Sequence, residues 1–307
     1  MSIKVTSIFD AFDDVSLADY VYSYAEKKDE LKEQFKSLPK RETEFSAGYD
    51  LACVNDEVIP AHTAGLVTFG YSIEIDAPGV MGVVVPRSSL AKKRGLIMSC
   101  GPYYIYSDQP VISCRFYNFT DQDVELKSGD KIAQVLFVKS PQFVIGQECW
   151  SVDPLDETVN AQAFDNNLES IAMWGPSNEQ PFLVDQTDLF SFMFQSPEET
   201  VLEPGKVICI MTKLRCKLDP GEVLILQNAF DNSCVELANT LGVIDADYYD
   251  NPDNGGEIGV LLLNRGCQPI KVNVGDVLAK GSIFNYSTID GDEYGGKRTG
   301  GFGSTDK

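Results

Sequence analysis

Hydrophobic and polar residues alternate along much of the chain with the two-residue period of a β-strand. Residues 67–75 carry Val, Phe, Tyr, Ile and Ile at every second position, with Thr, Gly, Ser and Glu between them. This is the pattern of a half-buried strand. Turn sequences, such as Pro-Gly at 78–79 and Ser-Gly-Asp at 128–130, separate it from the apolar runs that follow. Many short strands joined by turns predict an all-β barrel or sandwich.

The first 40 residues have a different period. After a short strand, apolar side chains recur mostly at intervals of three to four positions, at Leu17, Tyr20, Tyr24, Leu31, Phe35 and Leu38. This spacing predicts one amphipathic helix, capped by Asp13 or Asp14 and ended by Pro39. We interpret the helix as a packing accessory.

Residues 141–184 interrupt the β pattern. The stretch 151–160 is acidic, and Phe164, Leu168 and Ile171 then predict a short helix that stops before Gly-Pro at 175–176. We interpret this segment as a linker between two β-rich halves.

The second half of the chain repeats landmarks of the first. The Pro-Gly turns at 78–79 and 220–221 are 142 residues apart (220 − 78), and the Gly-Asp turns at 129–130 and 275–276 are 146 apart (275 − 129). Each half therefore has the same order of turns and apolar strands, which predicts a duplicated domain.

The glycines Gly101 and Gly242 give a third alignment, with an offset of 141 (242 − 101). Residues 250–254 form an extra loop that accounts for the change in offset. The predicted domains are 1–140 for the first β domain, 141–184 for the linker, 185–288 for the second β domain and 289–307 for a flexible C-terminal arm.

Composition narrows the class of protein. The 307 residues are 43% apolar and 23% charged, as is typical of a globular protein in water. No apolar run approaches the roughly 20 residues of a membrane span, and the first residues lack the pattern of a signal peptide. We therefore predict a cytoplasmic protein with no membrane contact.

Cysteine and histidine usage limits the chemistry. The eight cysteines include no Cys-x-x-Cys pair, which favours reduced core thiols over disulfides or zinc sites. His62 is the one histidine, which argues against Ser/His or Cys/His nucleophilic catalysis.

The chain is strongly acidic, with 25 basic and 46 acidic residues and a net charge of −21. This balance argues against a nucleic-acid partner. An anionic ligand can still bind where positive charge is concentrated, at Arg87, Lys92, Lys93 and Arg94 or at Lys297 and Arg298. By themselves these clusters indicate a solvated surface.

Residues 242–249, Gly-Val-Ile-Asp-Ala-Asp-Tyr-Tyr, join a short apolar strand to two carboxylates and two aromatic rings. Such a hairpin can hold a planar ligand and place a base beside it, although alone it is more typical of an ordinary polar hairpin. Four further segments favour the functional interpretation: Ala-Gly-Tyr-Asp-Leu at 47–51, Pro-Arg-Ser-Ser-Leu-Ala at 86–91, Gly-Asp-Lys-Ile-Ala-Gln at 129–134 and Arg-Thr-Gly-Gly-Phe-Gly-Ser-Thr at 298–305. Together the five segments resemble the ordered motifs of the dUTPase family.

The resemblance implies a fold, a reaction and a cofactor. It implies two tandem jelly-roll-like β domains and hydrolysis of the small molecule dUTP to dUMP and pyrophosphate. Mg²⁺ would assist attack of water on the α-phosphate. The family's common form is a trimer in which one site takes motifs from different subunits.

The two halves of this chain carry different motifs. The first half has the segments at 48–50, 86–89 and 129–134, but we align Tyr104 with the hairpin acid Asp245. The second half has the acid, but Asn-Ala-Phe-Asp replaces Pro-Arg-Ser-Ser and Lys280 replaces Gln134. We predict one composite site per chain and favour a monomer over a homo-oligomer.

The resemblance also implies a role for each matched residue. Asp245 would be the general base, and Asp50 would contact Mg²⁺ through water. Substrate contacts would come from the phosphate-binding residues Arg87, Ser88, Ser89 and Gln134, the nucleoside-binding residues Asn239, Gly242 and Tyr248, and the arm residues Arg298, Phe302, Gly303, Ser304 and Thr305.

Two alternatives remain. One is a relative of the same fold that acts on dCTP, which would release ammonia. The other is a non-catalytic dUTP sensor or protein-binding module, for which partly lost motifs would be expected.

Overall fold

The structure is a computed structural model and describes residues 2–22, 24–99, 101–139, 168–170 and 191–298. The chain divides into two compact units, each described here by itself. Unit 1 lies within Met1–Lys139 and Tyr286–Lys297, and unit 2 within Ser140–Asn285 and Arg298–Lys307. No helix in the described parts is both long and apolar enough to span a membrane.

Strands far outnumber helices in the described residues, which confirms the predicted all-β class. The strands of the first part of the chain are β1 (Ser2–Ser7), β2 (Arg41–Thr43), β3 (Gly48–Ala52), β4 (Glu57–Ile59), β5 (Ala64–Thr68), β6 (Tyr71–Asp76), β7 (Val80–Pro86), β8 (Leu96–Met98), β9 (Tyr103–Ile105), β10 (Ser113–Asn118), β11 (Val124–Leu126) and β12 (Lys131–Lys139). Those of the second part are β13 (Leu168–Ser170), β14 (Ser191–Gln195), β15 (Thr200–Leu202), β16 (Val207–Met211), β17 (Leu214–Cys216), β18 (Glu222–Asn228), β19 (Val235–Leu237), β20 (Gly242–Asp245), β21 (Gly259–Asn264), β22 (Ile270–Val272), β23 (Val277–Asn285) and β24 (Tyr294–Gly296). The helices are α1 (Ile8–Ala11), α2 (Asp14–Leu17), α3 (Tyr24–Gln34) and α4 (Leu90–Arg94), with a 3-10 turn at Ala246–Tyr248.

The two units repeat one order of strands. Unit 1 contains the sheet β24-β2-β3-β12-β7-β9, and unit 2 contains β14-β23-β18-β20. The order β3-β12-β7-β9 of the first thus matches the whole of the second. A three-stranded sheet, β5-β10-β8 or β16-β21-β19, and a two-stranded ribbon, β4-β11 or β15-β22, also occur in both units.

A buried asparagine closes the equivalent turn in each unit, Asn118 in unit 1 and Asn264 in unit 2. Asn118 donates to the carbonyls of Ile59 and Gln122, at 2.9 and 2.7 Å, and is fully buried. Asn264, also fully buried, makes the equivalent bonds to two carbonyls in unit 2, at 2.9 and 2.8 Å. Because a buried amide is costly unless it is hydrogen-bonded, this position has a folding role in both units.

The single helix predicted after Asp13 or Asp14 is divided into α2 and α3, so that prediction is wrong; α1 lies before it. Asp13 does cap α2, since its carboxylate accepts from the Ser16 amide at 2.8 Å. Beyond α2, the Asn55 side chain donates to the Tyr20 carbonyl at 2.9 Å and accepts from the Tyr22 amide at 3.1 Å. These bonds satisfy backbone groups outside a helix, so the chain turns away before α3.

The strand predicted over residues 67–75 is interrupted at Gly70. A Cβ at this position would lie 2.3 Å from the aromatic ring of Phe35, which follows α3. The glycine therefore lets a core ring pack against the backbone, and β5 and β6 form on either side.

A short helix was predicted around residues 164–171. For the three residues that the structure describes there, this prediction is wrong. Residues 168–170 form β13, which pairs antiparallel with β17. A distant strand supplies their backbone partners, and local periodicity does not report such a pairing. The rest of the linker prediction lies outside the described residues.

Three of the predicted core thiols, Cys53, Cys114 and Cys216, are buried. Burial raises the pKa of Cys53 to about 12 and that of Cys216 to about 12, which keeps both protonated. The other described cysteines, Cys209, Cys234 and Cys267, are exposed rather than buried. Cys100 and Cys149 lie outside the described residues.

The beginning of the predicted C-terminal arm is fastened to unit 1. We call residues 286–296 the strap. Its β24 pairs in parallel with β2, and Ile289 is 4% exposed within the core of unit 1. Arg41 donates to Asp292 at 2.9 and 2.5 Å, and the Tyr49 hydroxyl donates to the same carboxylate at 2.5 Å. Buried apolar and charged contacts therefore order a segment whose composition is typical of disorder.

Candidate active site

The first group of predicted site residues surrounds Asp50 on β3 of unit 1. Its Oδ2 atom lies 3.3 Å from Nη1 of Arg87 and 3.3 Å from Nζ of Lys131. The side chains of Asp50 and Arg87 are 11% and 13% exposed, so the pair is largely screened from solvent. Asp50 thereby orients Arg87. Sequence reasoning missed Lys131, although it lies inside the motif at 129–134.

Gln134 belongs to the same group. It pairs with Asp50 across β12 and β3. A Cβ at Gly48 would lie 2.0 Å from Oε1 of Gln134. Glycine at the start of the Gly-Tyr-Asp motif therefore leaves the space that the Gln134 amide occupies.

The turn at 86–89 holds the hydroxyl candidates beside Arg87. β7 ends at Pro86, and the Arg87 amide donates to the Ile132 carbonyl at 3.0 Å. Ser88 is half-buried and Ser89 is buried. Because α4 begins immediately afterwards, the turn has a fixed geometry and presents three polar side chains in succession.

The second group lies at the end of β20 in unit 2. Nη2 of Arg298 lies 2.5 Å from Oδ2 of Asp245, and Nε lies 2.7 Å from Oδ1 of Asp247. The three side chains are only 9–16% exposed. Burial alone would lower the pKa of Arg298, but the negative charges of Asp245 and Asp247 outweigh it and raise that pKa. The predicted base and the predicted phosphate ligand are thus an ion pair in this structure.

Tyr248 is fixed next to this ion pair. The centre of the Arg298 guanidinium lies 5.7 Å from the Tyr248 ring centroid, and the ring is 6% exposed. The hydroxyl donates to the Glu257 carbonyl at 3.1 Å and accepts from Nδ2 of Asn254 at 3.1 Å. Burial raises the pKa of Tyr248, so the hydroxyl stays a donor at neutral pH.

Asn239 and Gly242 lie at the start of the same hairpin. Asn239 is 6% exposed, and its Oδ1 has no hydrogen-bond partner among the described residues. A buried acceptor of this kind is costly unless a ligand or water meets it. A Cβ at Gly242 would lie 2.9 Å from Cβ of Leu226, so the glycine allows β20 to lie close to β18.

Strand register locates the counterpart of Asp245 in unit 1. Gln134 pairs with Val85, and Lys280 pairs with Gln227, which supports the predicted replacement of Gln134 by Lys280. With Gln134 and Lys280 equivalent, their partners Val85 and Gln227 are equivalent too, so residues of β18 are numbered 142 above their counterparts in β7 (227 − 85).

The same register shows that aligning Tyr104 with Asp245 is wrong. Tyr104 pairs with Val83, whose equivalent at this offset, Ile225, pairs with Val243. The counterpart of Asp245 is therefore Tyr106, two residues further on.

The predicted alignment joined the wrong glycine pair. Gly101, with φ 74°, corresponds to Thr240, with φ 61°, at an offset of 139 (240 − 101). A left-handed backbone conformation usually marks glycine, and here threonine holds it. Gly242 is consequently the equivalent of Tyr103.

The structure therefore forms two groups of predicted residues, one in each unit. Unit 1 holds Asp50, Arg87, Ser88, Ser89 and Gln134; unit 2 holds Asn239, Gly242, Asp245, Tyr248 and Arg298. The remaining arm residues, Phe302, Gly303, Ser304 and Thr305, lie outside the described residues.

Comparison with known proteins gives this arrangement a family. The dUTPase family model matches residues 35–163. The deoxyuridine 5'-triphosphate nucleotidohydrolase of Lactococcus lactis is 35% identical over 116 residues, which are 36% of this chain and 77% of the relative. The chain belongs to the dUTPase family. A second nucleotidohydrolase of this name, from Gamma-proteobacterium EBAC31A08, is 36% identical over 124 residues, covering 39% of this chain and 86% of the relative.

Solved structures extend the comparison beyond the dUTPase family match. The dUTPase of Streptococcus mutans is 27% identical and covers 40% of this chain and 98% of its own, with a TM-score of 0.36. The 2'-deoxycytidine 5'-triphosphate deaminase of Agrobacterium tumefaciens covers 80% of this chain and 90% of its own, with a TM-score of 0.51 and 11% identity. The second likeness is one of fold alone.

The donor set fits Mg²⁺ only as an indirectly held ion. Within the described residues, no three His, Cys, Asp or Glu side chains are grouped to bind a metal. Asp50 is a single carboxylate, and its buried Oδ2 is ion-paired with Arg87 and Lys131 but makes no well-aligned hydrogen bond among these residues. A lone carboxylate suits Mg²⁺ that retains its waters and is bound mainly by substrate phosphates.

Proposed function

We propose that the chain hydrolyses dUTP to dUMP and pyrophosphate. Membership of the dUTPase family supports the reaction. The observation that carries it in this chain is the acidic hairpin end, where Asp245 pairs with Arg298 and the same guanidinium lies 5.7 Å from the centre of the buried Tyr248 ring. The unpartnered amide oxygen of Asn239 is near in sequence. A base, an aromatic platform and a polar contact are the three features that a deoxynucleoside triphosphatase needs at its nucleoside end.

Asp245 would orient the attacking water and accept its proton. Since Arg298 pairs with Asp245 and Asp247, the guanidinium would leave these carboxylates when it binds a terminal phosphate. That exchange would free Asp245 for water only when substrate is bound. The remaining arm residues, Phe302 to Thr305, would then close over the nucleotide as a lid.

The phosphate end of the substrate would be bound by Arg87, Ser88, Ser89 and Gln134. Arg87 supplies charge-assisted hydrogen bonds, which are about twice as strong as neutral ones. Its contact with Asp50 fixes the direction of the guanidinium. Stabilisation of charge on the leaving pyrophosphate is the main work of such groups in phosphoryl chemistry.

The nucleoside end would be read by Asn239, Tyr248 and the backbone at Gly242. The Asn239 Oδ1 would accept a hydrogen bond from uracil, which would satisfy a buried group. The Tyr248 ring would pack under the deoxyribose and leave no room for a 2'-hydroxyl.

Mg²⁺, when bound, would neutralise charge on the triphosphate. Asp50 is the residue that would hold it, through water. We expect chelation of Mg²⁺ to reduce turnover, and Asp50→Asn to raise the concentration of Mg²⁺ needed for half-maximal rate.

The chain carries one complete set of these residues, divided between unit 1 and unit 2. We propose that a single chain, acting as a monomer, supplies all the residues that one active site needs. The test mixes a chain ending at Lys297 with an Asp245→Asn chain. If each set is completed within one chain, no activity returns. Recovery of dUTP hydrolysis after time for subunit exchange would show that chains share residues and would overturn the monomer proposal.

The reaction itself is tested by measuring pyrophosphate release from dUTP, UTP and the four common dNTPs. We expect release from dUTP alone at an appreciable rate. Ammonia release from dCTP, measured in parallel, would instead support a dCTP-acting enzyme, and binding of dUTP without release would support a sensor.

A further inference from the structure

The loop after β20 is seven residues longer than its counterpart in unit 1 (146 − 139) rather than the predicted five, and we call residues 250–254 of it the insertion. It follows Tyr248 and Tyr249 directly. Asp250 has a left-handed backbone, with φ 56°. At Gly256, which closes the loop, a Cβ would lie 2.9 Å from the Tyr248 carbonyl oxygen and 2.9 Å from the Asp250 amide nitrogen. The insertion is therefore packed tightly onto the backbone of Tyr248.

Asn251 connects the insertion to the backbone of Tyr248. It is 4% exposed, and its Nδ2 donates to the Tyr248 carbonyl at 2.9 Å and to Oδ1 of Asn254 at 2.7 Å. Its own Oδ1 accepts from the amides of Asp253 and Asn254, at 3.1 and 3.2 Å. Every polar atom of this buried side chain has a partner, which is the condition for a rigid buried polar network.

Asn254 connects the insertion to the ring of Tyr248. Its Nδ2 donates to the Tyr248 hydroxyl at 3.1 Å and to the Glu257 carbonyl at 3.0 Å. The hydroxyl itself donates to that same carbonyl at 3.1 Å. The two ends of the tyrosine, its carbonyl and its hydroxyl, are thus both hydrogen-bonded to this network.

We infer that Asn254 is a positioning residue which, through the Tyr248 hydroxyl, sets the discrimination between deoxyribose and ribose at the site. This inference rests on the proposed function. A ring that excludes one oxygen atom must be held to within a fraction of an ångström. A pocket that only packs against an added hydroxyl rejects it modestly, so the rigidity of the ring determines the selectivity.

A second anchor of the insertion provides a matched control. The Arg215 guanidinium pairs with Asp250 and lies 4.4 Å from the Tyr249 ring centroid. The Asp250 side chain is 65% exposed, whereas the Tyr248 hydroxyl is hydrogen-bonded to Asn254 and to the Glu257 carbonyl. Asp250→Asn breaks the ion pair, and asparagine tolerates the left-handed conformation.

The experiment measures kcat/KM for dUTP and for UTP, and takes their ratio. We expect Asn254→Ala to lower this ratio about five- to tenfold, as loss of one hydrogen bond to the ring predicts. Asp250→Asn should change it by less than about twofold. Tyr248→Phe, which deletes the hydroxyl and keeps the ring, should lower the ratio by a similar factor, and adding Asn254→Ala to it should have little further effect.

An unchanged ratio in Asn254→Ala, or in Tyr248→Phe, would overturn the inference, because the loop would then have a merely structural role. Additive effects in the double variant would overturn it as well, because the two residues would then act separately. If Asn254→Ala does not fold, Tyr248→Phe alone decides the outcome. Absence of dUTP hydrolysis by the unaltered chain would overturn the proposed function, whereas hydrolysis with an unchanged ratio overturns only this inference.

Discussion

The hairpin that ends β20 in unit 2 and the equivalent hairpin after β9 in unit 1 share their strand pairing but differ in their chemistry. At the position of Asp245, unit 1 has Tyr106, which is 71% exposed. Its ring stacks on that of Tyr104, with centroids 6.1 Å apart. The acid and its arginine partner are therefore specific to unit 2.

The turns after β7 of unit 1 and β18 of unit 2 also differ, but here it is unit 1 that has the charged residues. Unit 1 has Arg87 held by Asp50, whereas unit 2 has Ala229 at the position of Arg87 and Met193 at that of Asp50. The buried asparagine and the strand order are common to both units. Features that serve folding are thus repeated, while the residues that we propose for chemistry differ between the two units.

The acid of unit 2 should have the largest effect on turnover. Asp245→Asn keeps the size of the side chain and removes the base, so we expect the rate of pyrophosphate release to fall about 10²- to 10⁴-fold, with dUTP binding retained. The matched change in unit 1, Tyr106→Asp, should leave the rate unaltered. A near-normal rate for Asp245→Asn would show that the two hairpins do not differ in function.

Removal of the residues after Lys297 should have the next largest effect. The deletion keeps β24 and the strap, so the melting temperature should change little. It removes Arg298 and Phe302, and loss of base stacking alone is worth about 1–3 kcal/mol. A chain that ends at Asn285, and so lacks the strap, is the comparison and should melt at a lower temperature. Equal melting temperatures for the two deletions would contradict the role of the strap.

The turn of unit 1 should contribute more to substrate use than the turn of unit 2. Arg87→Ala should lower kcat/KM for dUTP by a factor that corresponds to about 1.5–3 kcal/mol, the value of a charged hydrogen bond. Ala229→Arg, at the equivalent position of unit 2, should have no effect. Equal sensitivity at both positions would show that the phosphate site has been assigned to the wrong turn.

The smallest effect concerns the strap and the pH dependence of stability. Burial opposes ionisation of Asp292, but hydrogen bonds from Arg41 and Tyr49 outweigh it and hold the pKa of Asp292 below its ordinary value. Such a carboxylate stabilises the fold above its unfolded pKa, and this contribution is lost as the pH falls through the folded pKa. Asp292→Asn should therefore lower the free energy of unfolding by about 2 kcal/mol at pH 7, with a smaller difference at about pH 3.

The control for this measurement is the exposed ion pair of unit 2. Asp250→Asn breaks a contact whose carboxylate is 65% exposed, and it should change the free energy of unfolding by less than about 1 kcal/mol at either pH. A pH-independent loss in Asp292→Asn would mean that the charge of the carboxylate does not stabilise the strap.

Local sequence patterns predicted those structural features that depend on residues close together in the sequence. Alternation and turn residues indicated the β class, and the Pro-Gly and Gly-Asp turns indicated the repeat. The break in the N-terminal helix depends on Asn55, which is distant in sequence. No period of three or four residues reports such a contact.

The candidate site shows the same limit. The motifs identified Asp245 and Arg87 because these residue types recur in a known order. They did not indicate that Arg298 pairs with two carboxylates, nor that Asn254 contacts the Tyr248 hydroxyl. The position of Tyr106 was missed because Thr240 adopts the backbone conformation that glycine usually marks. Register between strands resolved it, and register depends on long-range pairing.

The strap also fixes the order in which a newly made chain can be completed. The described strands of unit 2 end at residue 285, whereas the sheet of unit 1 takes its edge strand from residues 294–296 and part of its core from Ile289. Until these residues leave the ribosome, β2 presents an open edge of the kind that pairs with other chains. Premature termination of translation would release a protein in which the edge of β2 is uncovered. The six-stranded sheet of the unit that is synthesised first is therefore the last of the described sheets to be completed.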